Sequence, residues 1–271
     1  MIKPSEIQVK ARNEGVRDQQ IEKDYLLSWI LQGISKHDQL SGALAFKGGT
    51  VLKKIYFDDY RFSEDLDFTL LKNEITNTQL FNWFKATFEY VLEEANIRLE
   101  IIDSDNFHFQ TDDEGINFYI SYIGPLGGQG NNKKVKVDIS RNEKLEFPPI
   151  MKNVLLPYSD LKEHQILCYS LEEILIEKMR TVMQRMQARD FYDIWYLLHI
   201  QGMDPNYYSK EFSKKCENKK INANDFQKKL TDRLPQYKGR WESSMNEQIQ
   251  NLPNFEKVER ETLRYLKKLN F

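Results

Sequence analysis

Asp65 and Asp67 stand at i and i+2 in the stretch "SEDLDFTL", where acids alternate with Leu66, Phe68 and Leu70. A period of two is the signature of a β-strand, so both carboxylates project from one face and the apolar side chains from the other. Two carboxylates this close repel each other unless a cation sits between them. A hard divalent ion such as Mg²⁺ takes oxygen ligands and keeps places for water or phosphate. A second alternating stretch, "KKVKVDIS", sets Asp138 against Val135, Val137 and Ile139. If the two strands are neighbours, three carboxylates share a site. Such a trio can hold two metal ions for an in-line phosphoryl or nucleotidyl displacement. One ion activates the attacking oxygen and the other stabilises the leaving pyrophosphate. A lone Asp-x-Asp is also what a polar, solvent-facing strand edge looks like.

The glycine turn "FKGGTVLKK" lies just upstream, with Thr50 fifteen residues before Asp65. Gly48 and Gly49 end a short buried strand, and Thr50 opens a short helix. Backbone N–H groups at such a junction favour phosphate, and glycine lets the backbone approach it. Thr50 adds a hydroxyl, and Ser63 adds another beside the aspartates. The G-x-x-x-x-G-K-[ST] loop of other phosphate binders is missing, and "GGQGNNKK" leads into a strand, not a helix. Asp58 and Asp59 fall in the connection "FDDYRFS", so the metal belongs at Asp65 and Asp67.

These residues need a scaffold. Residues 18–34 repeat apolar side chains at helical spacing, with Asp18 as the N-cap. Residues 76–95 read as a helix with Leu80, Trp83, Phe84, Phe88, Val91 and Leu92 inward. "IRLEIID", "FHFQ" and "INFYISYI" read as strands, and "GPLGGQGNN" as a glycine-rich hairpin connection. After "EFPPI" the pattern turns helical. Ser170 and Glu173 suggest a capping box for a helix over 170–188, with Leu171, Leu175, Met179, Val182 and Met186 as its apolar face. At 100° per residue, Lys178, Arg185 and Arg189 fall in a strip at the edge of that face. Beside Leu171, Ile174 and Leu175, Lys178 either snorkels or wants an anion, a carboxylate or a triphosphate. Asp190 and Asp193 share a helix face at i, i+3. They are placed to cap a new helix, to pair with Arg185 or Arg189, or to reach the reactive site. The expected fold is α+β: a mixed-sheet unit over residues 1–160, then a helical bundle over 161–271. The N-terminal helix could join either part.

With 271 residues the chain can build one large domain or two modest ones. No apolar run approaches the roughly 20 residues of a membrane span, and the N-terminus lacks the apolar core of a secretory signal. Cys168 and Cys216 lie far apart without metal-like spacing, which predicts a reducing, cytoplasmic setting without a disulfide scaffold. Net charge is −2 but uneven: residues 205–271 carry 15 Lys and Arg against 9 Asp and Glu, and residues 1–204 carry 24 against 32. A tail of +6 on a body of −8 suggests a polyanionic partner, or simply a solvated helical surface.

Taken together, Gly48, Gly49 and Thr50, then Asp65 and Asp67, then Asp138 resemble the active-site pattern of the polymerase β-like nucleotidyltransferase superfamily. "FKGGTVLKK", "RFSEDLDF", "VKVDIS", "LEEILIEKMRTV" and "ARDFYDIWYLL" occur in the order of the motifs of AbiEii-type nucleotidyltransferase toxins, the abortive-infection and MenT-like toxin–antitoxin group. The resemblance spans about residues 20–200. It implies a nucleotidyltransferase core followed by a helical domain, with NTP as substrate, Mg²⁺ as cofactor in a two-metal site, and a cognate antitoxin. It implies Gly49 and Thr50, or Ser63, at the phosphates and Asp65 and Asp67 at the metal. Lys178 matches the helix lysine and Asp190 the late aspartate. Some relatives add nucleotides to the 3′ end of tRNA. An antibiotic-modifying transferase, or a nucleotide-binding module with a lapsed site, would be built on the same motifs. Residues 205–271 match none of them.

Overall fold

The computed structural model describes residues 1–102, 115–128, 133–267 and 269. The chain forms two compact units, one of Met1–Glu143 with Pro149–Cys168, the other of Lys144–Pro148 with Tyr169–Phe271.

In the first unit, helices α1 (Pro4–Glu14), α2 (Asp18–Lys36) and α3 (Asp38–Ala43) precede strand β1 (Leu44–Lys47). A short helix α4 (Gly48–Val51) follows and widens into a π-helical turn over Leu52–Tyr56, where Phe57 N donates to Leu52 O at 2.8 Å. Then come β2 (Asp65–Leu70), α5 (Asn77–Ala95), β3 (Arg98–Ile102), β4 (Gly115–Ile123), β5 (Lys134–Ser140), β6 (Ile150–Asn153) and β7 (Gln165–Cys168). The seven strands form one mixed sheet in the order β3-β4-β5-β2-β1-β7-β6. β2 runs parallel to β5 and β1 parallel to β7, while the other neighbours are antiparallel.

The alternation in the sequence decides which face is covered. Leu66, Phe68, Val135, Val137, Ile139, Phe118 and Ile120 are buried, and Phe81 and Phe84 of α5 meet Phe118 edge-on at 5.3 and 5.2 Å. α5 starts with a full capping box, Thr76 with Gln79. α2 lies close against α5 because Gly33 has no side chain. A Cβ there would stand 2.6 Å from Thr87 Cγ2. Two details differ from the sequence reading. Arg17, not Asp18, is the N-cap of α2, and Asp18 sits in the first turn, where its charge suits the helix dipole. Leu92 is 44% exposed, because the buried stripe follows Phe84, Phe88, Val91 and Ala95 and Leu92 sits one residue beyond it. Strand "FHFQ" and the end of the glycine-rich connection lie outside the described residues.

The second unit contains α6 (Leu171–Val182), α7 (Ala188–Trp195, continued by a π turn to Ile200), α8 (Ser209–Glu217), α9 (Phe226–Met245) and α10 (Phe255–Leu266). The single helix expected over 170–188 is in fact broken after Val182, so Met186 is 37% exposed and Arg189 belongs to α7. The capping box is half made. Ser170 Oγ accepts from Glu173 N at 3.3 Å. The Glu173 carboxylate instead accepts from Glu146 N and Phe147 N at 3.0 and 2.9 Å and pairs with the buried Lys215 at 2.7 Å. That clasp fastens the 144–148 segment to the helices. Phe191 stacks on Tyr237 at 5.4 Å in the bundle core. Cys168 and Cys216 are free and buried, and no helix among the described residues is long and apolar enough to cross a membrane.

One buried cluster fixes the turn after β1. Lys54 Nζ meets Asp24 Oδ2 at 2.7 Å and also donates to Asp24 O and Ser28 Oγ, both at 2.8 Å. Tyr158 OH donates to the same Asp24 oxygen at 2.8 Å. The π turn is thereby bolted to α2. Burial pulls the Lys54 pKa down to about 8 even with the Asp24 charge beside it. The unfolded chain keeps an ordinary lysine, so between pH 8 and 10 it binds more protons than the folded one and stability rises with pH. Urea titrations should therefore show wild type gaining about 1–2 kcal/mol relative to Lys54→Met from pH 8 to pH 10. Parallel pH profiles for the two proteins would contradict the buried, depressed lysine.

Candidate active site

Register brings the acids of β2 and β5 together. Asp67 lies opposite Asp138, and Asp65 opposite Lys136, across the parallel pair. Lys47 lies opposite Asp67 on the other side. Paired positions share a face, so Lys47, Asp65, Asp67, Lys136 and Asp138 all belong to the face not filled by Phe68 and Val137. Asp65, Asp67 and Asp138 are half-buried. Asp58 and Asp59 are exposed in the connection before β2.

The glycine turn is built against this row. Gly48 has φ +82°, a conformation that costs a side-chain-bearing residue about 1–2 kcal/mol. A Cβ at Gly48 would also lie 2.2 Å from Asp67 Oδ2. The position therefore demands glycine twice over. Thr50 Oγ1 donates to Asp65 O at 2.5 Å and is 2.8 Å from Ser63 Oγ. Both hydroxyls are buried, and they lock the turn to the start of β2.

Two lysines answer the carboxylates, and neither belongs to the acidic and glycine motifs. Lys136 Nζ pairs with Asp138 Oδ2 at 2.6 Å. Lys47 Nζ donates to Ser140 Oγ at 3.0 Å, two residues along β5 from Asp138. Partial burial works against the Lys136 ammonium, but the Asp138 hydrogen bond and the charges of Asp138 and Asp65 outweigh it and hold its pKa above the usual lysine value. The alternation of "KVKVD" already places Lys136 on the face of Asp138, which is the signal that could have found it. Among the described residues, no group of three His, Cys, Asp or Glu converges tightly enough to ligate a metal. The donor chemistry of the Asp65–Asp67 pair still suits Mg²⁺, which commonly takes one or two carboxylates and fills its shell with water and substrate phosphate.

In the helical unit, Lys178 Nζ meets Asp190 Oδ1 and Asp193 Oδ2, each at 2.7 Å. Arg185 comes back from the turn after α6 to grip Asp190, with Nε to Oδ2 at 2.7 Å and an NH2 group to Oδ1 at 3.1 Å. Lys178, Asp190 and Asp193 are buried. Burial favours the neutral acid at Asp190, yet the Lys178 and Arg185 cations hold its pKa below the usual carboxylate range. Asp190 is thus an ion-pair partner; the N-cap of α7 is Gln187. Removing one partner from such a buried set typically costs about 3–5 kcal/mol.

Gly48→Ala should lower the unfolding free energy by about 1–3 kcal/mol in urea denaturation. An unchanged midpoint would mean that the turn does not pack on Asp67 as described.

A family model for the nucleotidyl transferase AbiEii toxin of type IV toxin–antitoxin systems matches residues 29–261. No curated protein sequence matches. Among solved structures, the nucleotidyltransferase toxin MenT4 from Mycobacterium tuberculosis H37Rv aligns with TM-score 0.66 and 18% identity, covering 100% of this chain and 91% of that one. JHP933 from Helicobacter pylori aligns with TM-score 0.58 and 16% identity, covering 93% and 92%. At these identities the structures establish a common fold, an α+β core with a mixed sheet followed by helices. The family model adds the assignment: this chain belongs to the AbiEii nucleotidyltransferase toxins of type IV toxin–antitoxin systems.

Proposed function

We propose that this enzyme is an Mg²⁺-dependent transferase that moves a nucleoside monophosphate from an NTP to a hydroxyl at the 3′ end of an RNA, with tRNA as the acceptor, in the cytoplasm and under control of a cognate antitoxin. One observation carries the reading: three half-buried carboxylates share one face of β2 and β5, and a glycine turn packs against the middle one. Asp65 and Asp67 hold the metal, whose chemistry when bound is to polarise the α-phosphate. The backbone of Gly48 and Gly49 faces the phosphates, with Thr50 and Ser63 holding that turn in place. The acceptor oxygen attacks the α-phosphorus, the bond to the β-phosphate oxygen breaks, and pyrophosphate leaves. Asp138 takes the proton of the attacking hydroxyl. In the helical unit, Lys178 is held by Asp190 and Asp193. The two-ion arrangement implied by the motifs needs Asp138 as a further ligand; a single ion is enough for the steps above. The excess of 15 Lys and Arg over 9 acids in residues 205–271 favours a polyanionic acceptor over a small alcohol.

Each of the four labelled NTPs, incubated with Mg²⁺ and either total tRNA or an aminoglycoside panel, tests this directly. Label should enter tRNA. Asp67→Ala should reduce transfer about 10²-fold or more while remaining folded, with a thermal unfolding midpoint no lower than that of wild type. Full activity in that variant would put the site elsewhere. Label on the aminoglycosides alone would make the acceptor a small alcohol. If no NTP binds with Mg²⁺ in calorimetry, the module is a lapsed one.

A further inference from the structure

Asp65, Asp67, Asp138 and Lys136 form a four-residue patch on the sheet, two on β2 and the two facing them on β5. Three of the four are carboxylates and the fourth is an ammonium. That ammonium bends along its own strand to Asp138 Oδ2 at 2.6 Å. Lys47 adds a second ammonium from β1 to the same face, with its tip at Ser140 of β5. Resting on the reading that Asp65 and Asp67 bind a metal, we propose that Lys136, supported by Lys47, takes the place of a second metal ion, so that the site works with one divalent cation.

Charge counting supports this. The three carboxylates with Lys136 and Lys47 total −1, and Lys134 on the same face of β5 brings the row to 0. One divalent ion then makes the row positive. Three carboxylates without lysines stay at −1 after one divalent ion and need a second to become positive. A second ion bridging Asp67 and Asp138 would have to displace Lys136 from Asp138 and sit beside a like charge, which disfavours it. The geometry agrees, because no three acidic groups among the described residues converge on a common point. The arrangement also gives Asp138 a defined role. Held by an ammonium instead of a metal, its carboxylate keeps an oxygen for the acceptor hydroxyl, and Lys136 is a positioning residue for it.

Metal stoichiometry separates this idea from the functional reading on which it rests. The full-length protein is titrated with Mn²⁺ in the presence of the α,β-methylene analogue of each NTP in turn. Bound ions are counted by calorimetry, and paired ions are detected by dipolar broadening of the Mn²⁺ EPR signal. Wild type should bind one Mn²⁺ with no broadening. Lys136→Ala and Lys136→Met should bind two, with broadening, and Lys136→Arg should return to one. Circular dichroism confirms that each variant is folded. Two ions in wild type would overturn the proposal and leave the transferase assignment standing. One ion in both wild type and Lys136→Ala would also overturn it, since Lys136 would not be what excludes the second. No bound ion in any protein would overturn the metal reading of Asp65 and Asp67, and this inference with it.

Discussion

Like charges held close on a rigid surface are the constraint around which this protein is organised. β2 and β5 run parallel and in register, so Asp65, Asp67 and Asp138 cannot move apart without breaking the sheet. Hydrophobic burial holds the register. Leu66, Phe68, Val135, Val137 and Ile139 fill the opposite face, and a slip of one residue would bury the acids and expose the apolar row. The repulsion is thus sustained by the core. It is relieved locally by Lys136 and Lys47, and it leaves an electrostatic demand that a cation can meet.

The surrounding elements hold that row in place. The Gly48 turn packs on Asp67, and Thr50 ties the turn to β2. The π turn is anchored through Lys54 to Asp24 on α2. π turns recur at functional sites because the extra residue re-aims the chain; here the widened turn carries Lys54 inward to the α2 anchor. In the helical unit the same logic recurs with signs exchanged. Lys178 is a buried cation held by two carboxylates, and Arg185 shares one of them.

Much of this was legible in the residues. The alternation of "EDLDFTL" and "KVKVDIS" identified both strands and both faces, because a strand's period of two is strict and the apolar residues are strong β-formers. Gly48 could be picked out because a Gly-Gly-Thr turn after a short buried strand lets the backbone approach a ligand closely. The break after Val182 was not legible. Val182 and Met186 keep helical spacing across it, and no Gly or Pro marks the turn. Asp190 left three roles open because capping and pairing use the same residue type at the same place. β6 and β7 are four residues each, too short to show a period. Lys136 is legible on the right face of β5, but the motifs consist of acids and glycines and do not include the charges that balance them.

The central claim is that Asp65 and Asp67 form the cation site and that the glycine turn beside them receives the triphosphate. Anomalous diffraction from crystals grown with Mn²⁺ and a non-hydrolysable NTP tests it most directly. The account predicts a peak between the Asp65 and Asp67 carboxylates, with nucleotide phosphate in its coordination shell and the remaining phosphates against the Gly48–Gly49 backbone. A well-ordered nucleotide and metal bound away from β2 would contradict it.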